Sequence, residues 1–202
     1  MRYFQFALWG AVILLGGFLA YATINHTAER AGLKTPTGTG GDIGGPFTAV
    51  RTDGTPFSRD QMLGRPHVLF FGFTHCPDIC PATLHEASQW LQKLGPDGDK
   101  LDVYFVTVDP ERDSPEILGE YMSLFDERLI GLSGSPEQIA KLTRAWRVFV
   151  KKQEPDEDGD YNVDHTATTY LMNADGGFVR TIAYGESNEV AVEKLQKLIA
   201  GR

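Results

Sequence analysis

Cysteine is almost missing: the 202 residues hold two, Cys76 and Cys80. A chain of this length buries enough apolar surface to fold without disulfide staples, so the pair is not needed for folding. Basic residues are also scarce, 19 Lys and Arg against 27 Asp and Glu, for a formal charge of −8. Duplex nucleic acid demands clustered cations to neutralise phosphates, and this balance argues against that class. No internal repeat is present. With 42% hydrophobic and 23% charged residues, the chain as a whole is neither disordered nor collagen-like nor a polytopic membrane protein. Function must therefore reside in a local site.

Charge is lacking altogether from Tyr3 to Thr27, and Phe4 to Ile24 forms a run of 21 residues in which Gln5 is the one strongly polar member. A helix of that length is about 32 Å long and matches a hydrocarbon core of about 30 Å. The run exceeds the usual h-region of a signal peptide and has no clear small-x-small cleavage site, so it reads as an uncleaved single anchor. Tyr3, Trp9 and Tyr21 suit the interfaces. Arg2 and the free amine keep the N-terminus inside, which places the remainder outside the cytoplasm. The expected organisation is an anchor over 1–30 (span about 4–24), a tether over 31–44 with its glycines and Pro36, and a domain over 45–202. Residues 31–202 carry 17 basic and 26 acidic residues, a balance that keeps a tethered domain soluble.

Within the domain, Phe47 to Arg51 and Pro56 to Phe57 flank an Asp53-Gly54 turn and predict an opening hairpin. His67 to Phe73 and Asp102 to Val108 are short and almost wholly apolar, as strands buried on both faces are, and the helical stretch between them implies a βαβ unit. Ser114-Pro115-Glu116 and Ser135-Pro136-Glu137 mark two helix starts, each with a capping hydroxyl and a proline at the first helical position. Leu129 to Leu132 is a short strand between those helices. Thr168 to Met172 and Gly177 to Ala183 form a second hairpin, and Ser187 caps a final helix to about Ala200. Gln153 to Asp160, with five acids and a proline, reads as a solvated loop. This order gives an α/β sheet mixing parallel and antiparallel strands, flanked by helices, and a thioredoxin-like fold with an extra N-terminal hairpin satisfies it.

Both cysteines follow the end of a predicted strand, in Phe71-Gly72-Phe73-Thr74-His75-Cys76-Pro77-Asp78-Ile79-Cys80-Pro81. Reactive sites of α/β sheets favour that edge, and the strand ending at Val108 delivers Asp109-Pro110-Glu111-Arg112-Asp113 to the same rim. Each cysteine precedes a proline, which disfavours helical backbone, so a helix is expected from Pro81 with Cys80 at or near its N-cap. Unpaired N–H groups there favour thiolate, the form needed for disulfide exchange and for metal ligation. Four-residue spacing also lets the pair close into a disulfide, although so short a loop adds little stability as a mere staple.

A metal held by two thiolates needs a further donor. His26 lies at the membrane boundary, His67 begins a buried strand, and His85 sits one turn along the helix. His75 adjoins Cys76 but points the opposite way at a strand exit, and it stays in reserve. His165 lies in Val163-Asp164-His165-Thr166-Ala167, 85 residues beyond Cys80. Spacing alone does not bring it to the cysteines, and a loop histidine is more simply a surface residue. Asp164 is either an acid that orients the imidazole or a solvated one. Met62, Met122, Met172, Trp90 and Trp146 read as core.

Four segments together resemble the Sco/SenC family of membrane-anchored copper proteins, across roughly 45–198: Gly44-Gly45-Pro46-Phe47, the cysteine loop from Phe71 to Pro81, Thr107-Val108-Asp109-Pro110-Glu111-Arg112-Asp113, and Val163-Asp164-His165-Thr166 with Tyr170-Leu171-Met172. The resemblance implies a thioredoxin-like fold. It further implies one copper ion per chain, as Cu(I) or Cu(II), held by Cys76, Cys80 and His165, and its delivery to the binuclear copper site of cytochrome c oxidase subunit II. Two soft sulfurs and an imidazole suit copper, whereas structural zinc would normally close with four protein ligands and no third cysteine exists.

The leading expectation is a copper metallochaperone of the bacterial inner membrane, with its N-terminus cytoplasmic and its domain periplasmic. Subunit II is its expected partner and another periplasmic copper carrier a further one. The alternatives are a thiol-disulfide oxidoreductase, in which Cys76 and Cys80 reduce the copper-ligand cysteines of the same target, and a redox or copper sensor.

Overall fold

The apolar runs seen in the sequence become the centre of a seven-stranded sheet. The computed structural model describes residues 43–202. Strands β1 (Thr48–Arg51), β2 (Pro56–Ser58), β3 (His67–Gly72), β4 (Asp102–Thr107), β5 (Leu129–Ser133), β8 (Thr169–Met172) and β9 (Phe178–Ile182) lie in the order β2-β1-β5-β4-β3-β8-β9. The central β3, β4 and β5 are parallel; β1, β2, β8 and β9 join antiparallel. The opening hairpin forms as expected, with Val50 opposite Pro56. Gly54 takes φ +81° at its turn, a conformation that favours glycine.

Parallel strands need crossovers: α1 (Ile79–Leu94) with a short 3₁₀ segment joins β3 to β4 and α2 (Pro115–Met122) joins β4 to β5, while α3 (Pro136–Ala145) follows β5 and α4 (Asn188–Ile199) follows β9. Ser114, Ser135 and Ser187 each accept an N–H bond in the first turn of their helix, as the local sequence predicts. Alternation along β3 feeds two cores. Val68 and Phe70 pack with Leu84, Leu91, Phe105 and Leu195, whereas Leu69 and Phe71 pack on the opposite face with Tyr104, Leu142 and Trp146. The mixed α/β sheet is thus covered on both sides.

Two features depart from expectation. Helix α1 starts at Ile79 with Asp78 as N-cap, placing Cys80 inside the first turn rather than at the cap. Pro81 is tolerated there because the first N–H groups of a helix have no partner within it; the first helical bond runs from Ala82 N–H to the Asp78 carbonyl, 3.2 Å. Second, the acidic loop is the tip of a separate two-stranded ribbon, β6 (Val150–Lys152) and β7 (Val163–His165), which pair with each other and stand apart from the main sheet. No helix of the described residues is long and apolar enough to cross a membrane; the expected anchor over 1–30 lies outside those residues.

Candidate metal centre

The rim at the C-terminal ends of β3 and β4 carries the chemistry. Beyond β3 the backbone turns at Phe73–Cys76, where Cys76 N–H bonds the Phe73 carbonyl at 3.2 Å, and then enters α1. The Cys80 amide, in the first turn of that helix, donates to Cys76 Sγ at 3.4 Å. The ribbon brings His165 from the other side: Nε2 lies 3.8 Å from Cys80 Sγ across 85 residues of sequence. Potential donor atoms of Cys76, Cys80 and His165 all fall within 4.8 Å of one another. A cleft of about 310 Å³ between Phe73, Asp78, Ile79 and Asp164 opens onto Cys76 and His165, while Cys80 is buried and does not line it.

The imidazole is oriented as a metal ligand would need to be. Its Nδ1–H donates to the Thr166 carbonyl at 3.1 Å, leaving the Nε2 lone pair turned to the sulfurs. Phe70 and Phe73 meet the ring edge-on, with centroids 6.4 and 5.8 Å away. Asp164, one of two readings for an orienting acid, is exposed and pairs with the Gln153 amide instead. Burial depresses the His165 pKa, opposed by the Thr166 carbonyl and Asp164, so the neutral form needed of a ligand is favoured.

The Cys80 thiol behaves contrary to the sequence reading. Helix N–H groups were expected to favour thiolate, yet burial pushes its pKa upward, with Cys76 and Asp113 adding to the shift and the Phe73 backbone opposing it. Removing the sulfur from water outweighs a helix-terminus dipole of about 0.3–1 kcal/mol. Both cysteines are free thiols, Cys76 half-buried and Cys80 buried. A bound metal would displace the proton from Cys80, so loading would release acid. The donor set fits a soft ion: two sulfurs and one imidazole, open on the cleft side.

Three supports show their roles only in the structure, although the sequence places Asp113 at this rim. At Gly72 a Cβ would meet Cys80 Sγ at 2.6 Å and Phe105 Cε2 at 2.7 Å, so the sulfur occupies the room a side chain would take. A lone glycine in a buried strand was the signal, since it marks close approach. Asp113, fully buried, accepts from Thr74 N–H (3.1 Å), Thr74 Oγ (2.6 Å) and Thr107 Oγ (2.6 Å), clamping the turn that leads to Cys76. Tyr161 ties the ribbon to the rim: its hydroxyl donates to Asp109 at 2.9 Å, and Arg112 and Lys152 stand 3.7 and 3.8 Å from its ring centre. The remaining described histidines stay out of the site. His75 is exposed against Thr74 Oγ, His85 is exposed beside Gln89, and His67 is buried against the Arg65 carbonyl; His26 lies outside the described residues.

The SCO1/SenC family model matches residues 35–200. The chain belongs to the SCO1/SenC family. Bradyrhizobium japonicum ScoI with copper bound is 45% identical with a TM-score of 0.73, over 77% of this chain and 99% of that one. Yeast Sco1 with copper bound is 33% identical with a TM-score of 0.74, over 80% of this chain and 90% of that one. The mitochondrial SCO1 homolog 1 of Arabidopsis thaliana is 43% identical over 150 residues, 73% of this chain but 44% of its own length. Among the first curated relatives, the chain spans between 44% and 69% of their lengths. The thioredoxin-like Sco fold expected from the sequence is the one observed.

Proposed function

We propose that this Sco protein binds one copper ion through Cys76, Cys80 and His165 and passes it to the binuclear copper site of cytochrome c oxidase subunit II. The observation that carries the reading is the His165 imidazole, its Nε2 turned to the Cys80 sulfur at 3.8 Å and its Nδ1–H committed to the Thr166 carbonyl. A pair of thiols working by electron exchange alone does not require that arrangement. Sco proteins form a family of cytochrome c oxidase assembly proteins, and copper sits in the Bradyrhizobium and yeast structures. Two sulfurs and one nitrogen leave coordination room for an acceptor's own ligands, so transfer can proceed by stepwise ligand exchange.

The uncharged run over 4–24 supports a single inner-membrane anchor, with 31–44 as tether and 45–202 as a periplasmic domain. Copper X-ray absorption on the unaltered protein and on His165→Ala tests the ligand set. Loss of the nitrogen scatterer with sharply weaker binding supports it; unchanged spectrum and affinity overturn it.

A second reading draws on the two free thiols at the start of α1. Cys76 and Cys80 would give two electrons and two protons to a disulfide of the target, which becomes two thiols while the pair itself becomes a disulfide. Full oxidase assembly by His165→Ala, with none by either Cys→Ser variant, would favour it.

A further inference from the structure

Beside the metal centre the ribbon presents a surface that the centre does not use. In β6, Val150 is in register with His165; one residue earlier, Phe149 N–H bonds Thr166 Oγ at 3.0 Å and its carbonyl accepts the Thr166 N–H at 3.1 Å. Period-two alternation puts Phe149 and Lys151 on the ribbon face opposite Val150 and His165. Phe149 is 59% exposed, an aromatic ring left in water next to a strand that carries a metal-site donor. Between Arg144 and Lys152 there are four cations and no acid, in a chain of formal charge −8; the acid on the same face is Asp164, in register with Lys151 and bonded to the Gln153 amide. Lys152 is taken by Glu111 at 2.6 Å, while Arg144, Arg147 and Lys151 are exposed and form no ion pair with another described residue.

Arg147 supplies an independent sign. Helix α3 ends with Val148 N–H on the Thr143 carbonyl (2.9 Å) and Arg147 N–H on the Arg144 carbonyl (3.1 Å), a terminating motif whose left-handed position is usually glycine. Arg147 holds it at φ +53°, the one non-glycine residue of positive φ among the described residues. A left-handed backbone disfavours any residue with a Cβ, and no described group bonds the Arg147 side chain in return. A side chain kept where its absence would relax the backbone points to work outside the domain.

We propose that Phe149, flanked by Arg147 and Lys151, is the docking surface for the protein that exchanges metal with the centre, and that the docked face of that partner is acidic around an apolar patch. The proposal rests on the metal-transfer reading above. The complementarity is explicit: an apolar ring for the patch, cations for the acids, and the acidic ribbon tip from Glu154 to Asp160 repelling the reverse orientation. Phe149 is hydrogen-bonded to Thr166, the residue after His165, so a partner seated on this strip lies beside the strand that carries the imidazole. A lipid-binding patch has no reason to be tied to that strand.

The test is stopped-flow copper transfer from the copper-loaded 202-residue chain, in neutral and in anionic nanodiscs, to copper-free subunit II, at low and high salt. The variants are Phe149→Ser and the double substitution Arg147→Gly with Lys151→Gln. The double variant is expected to transfer about tenfold more slowly at low salt and to lose most of its salt dependence. Its copper stoichiometry and affinity should stay unchanged, and Arg147→Gly alone should raise the Tm. Phe149→Ser should slow transfer at both salt concentrations. Unchanged rates in both variants, while the unaltered chain transfers copper, overturn the docking surface and leave the transfer reading standing. No transfer by the unaltered chain overturns both. Slowing seen only in anionic nanodiscs assigns the strip to lipid and overturns the proposal.

Discussion

Gly72 and Cys80 share one volume: a Cβ on Gly72 would lie 2.6 Å from the Cys80 sulfur, nearer than two such atoms approach. The strand end and the first turn of α1 therefore touch through a missing side chain. Gly72→Ala must push the sulfur or the Phe105 ring aside, which costs about 1–3 kcal/mol as overpacking in a tight core. Copper titration and chemical denaturation should show weaker binding together with lower stability. A variant that binds copper as the unaltered protein does would refute the shared-volume account.

Asp113 is a buried carboxylate with three donors and, among the described residues, no cation bonded to it: Thr74 N–H, Thr74 Oγ and Thr107 Oγ. Asp113→Ala strands those donors in a water-poor interior and frees the turn that leads to Cys76. A loss of about 3 kcal/mol is expected from the charged hydrogen bonds. Urea denaturation of the metal-free chain should register it as a lower midpoint at constant slope.

Local chemistry made much of this fold legible. Ser114-Pro115 and Ser135-Pro136 start helices because cap and proline act within one turn, and Asp53-Gly54 closes its hairpin for the same reason. The apolar runs of β3 and β4 are self-evident because strands covered on both faces have no polar side to show. What stayed hidden depends on contacts distant in sequence. Nothing in the spacing of His165 from Cys80 tells that a ribbon returns it to the rim, and the resemblance to Sco proteins named it where the residues alone did not. The ribbon escaped notice because β6 is three exposed residues with no alternation to betray a buried face. The Cys80 thiol was read with the wrong sign because its burial is set by Gly72 and Phe105, not by the helix terminus that its own neighbours announce.

His67 gives the metal-free fold a pH dependence. It is buried, with Nδ1–H on the Arg65 carbonyl at 3.0 Å, and burial depresses its pKa despite that carbonyl and Asp102. The unfolded chain then binds a proton more readily than the folded one. Stability is full above the unfolded value of about 6.5 and falls as pH drops through the folded value. His165, depressed by burial as well, acts with the same sign. Denaturation midpoints of the metal-free chain measured between about pH 7.5 and pH 5 should fall, and His67→Gln should flatten part of that slope. A midpoint that rises on acidification contradicts the assignment.

Tyr161 offers the sharpest separation of site from scaffold. The ribbon pairs with no strand of the main sheet, so its hold on the rim runs through side chains: the Tyr161 hydroxyl on Asp109, the Arg112 guanidinium and Lys152 ammonium over its ring, and Lys152 on Glu111. The exposed Lys152 over the ring contributes about 0.5–1 kcal/mol, and the half-buried Arg112 about that or more. Tyr161→Phe keeps both ring contacts and loses one hydrogen bond; Tyr161→Ala loses all three. Because Tyr161 packs only at the edge of the second core, in which Val163 of the ribbon is buried, the expected effect is chiefly local opening of the ribbon with a smaller change in the global denaturation midpoint. His165 rides on that ribbon, so copper should dissociate faster in the order unaltered, Phe, Ala. In the Ala variant the nitrogen scatterer should weaken in the copper X-ray absorption spectrum while both sulfurs remain. Equal dissociation rates in all three proteins would show that the imidazole is held at the sulfurs without the tyrosine.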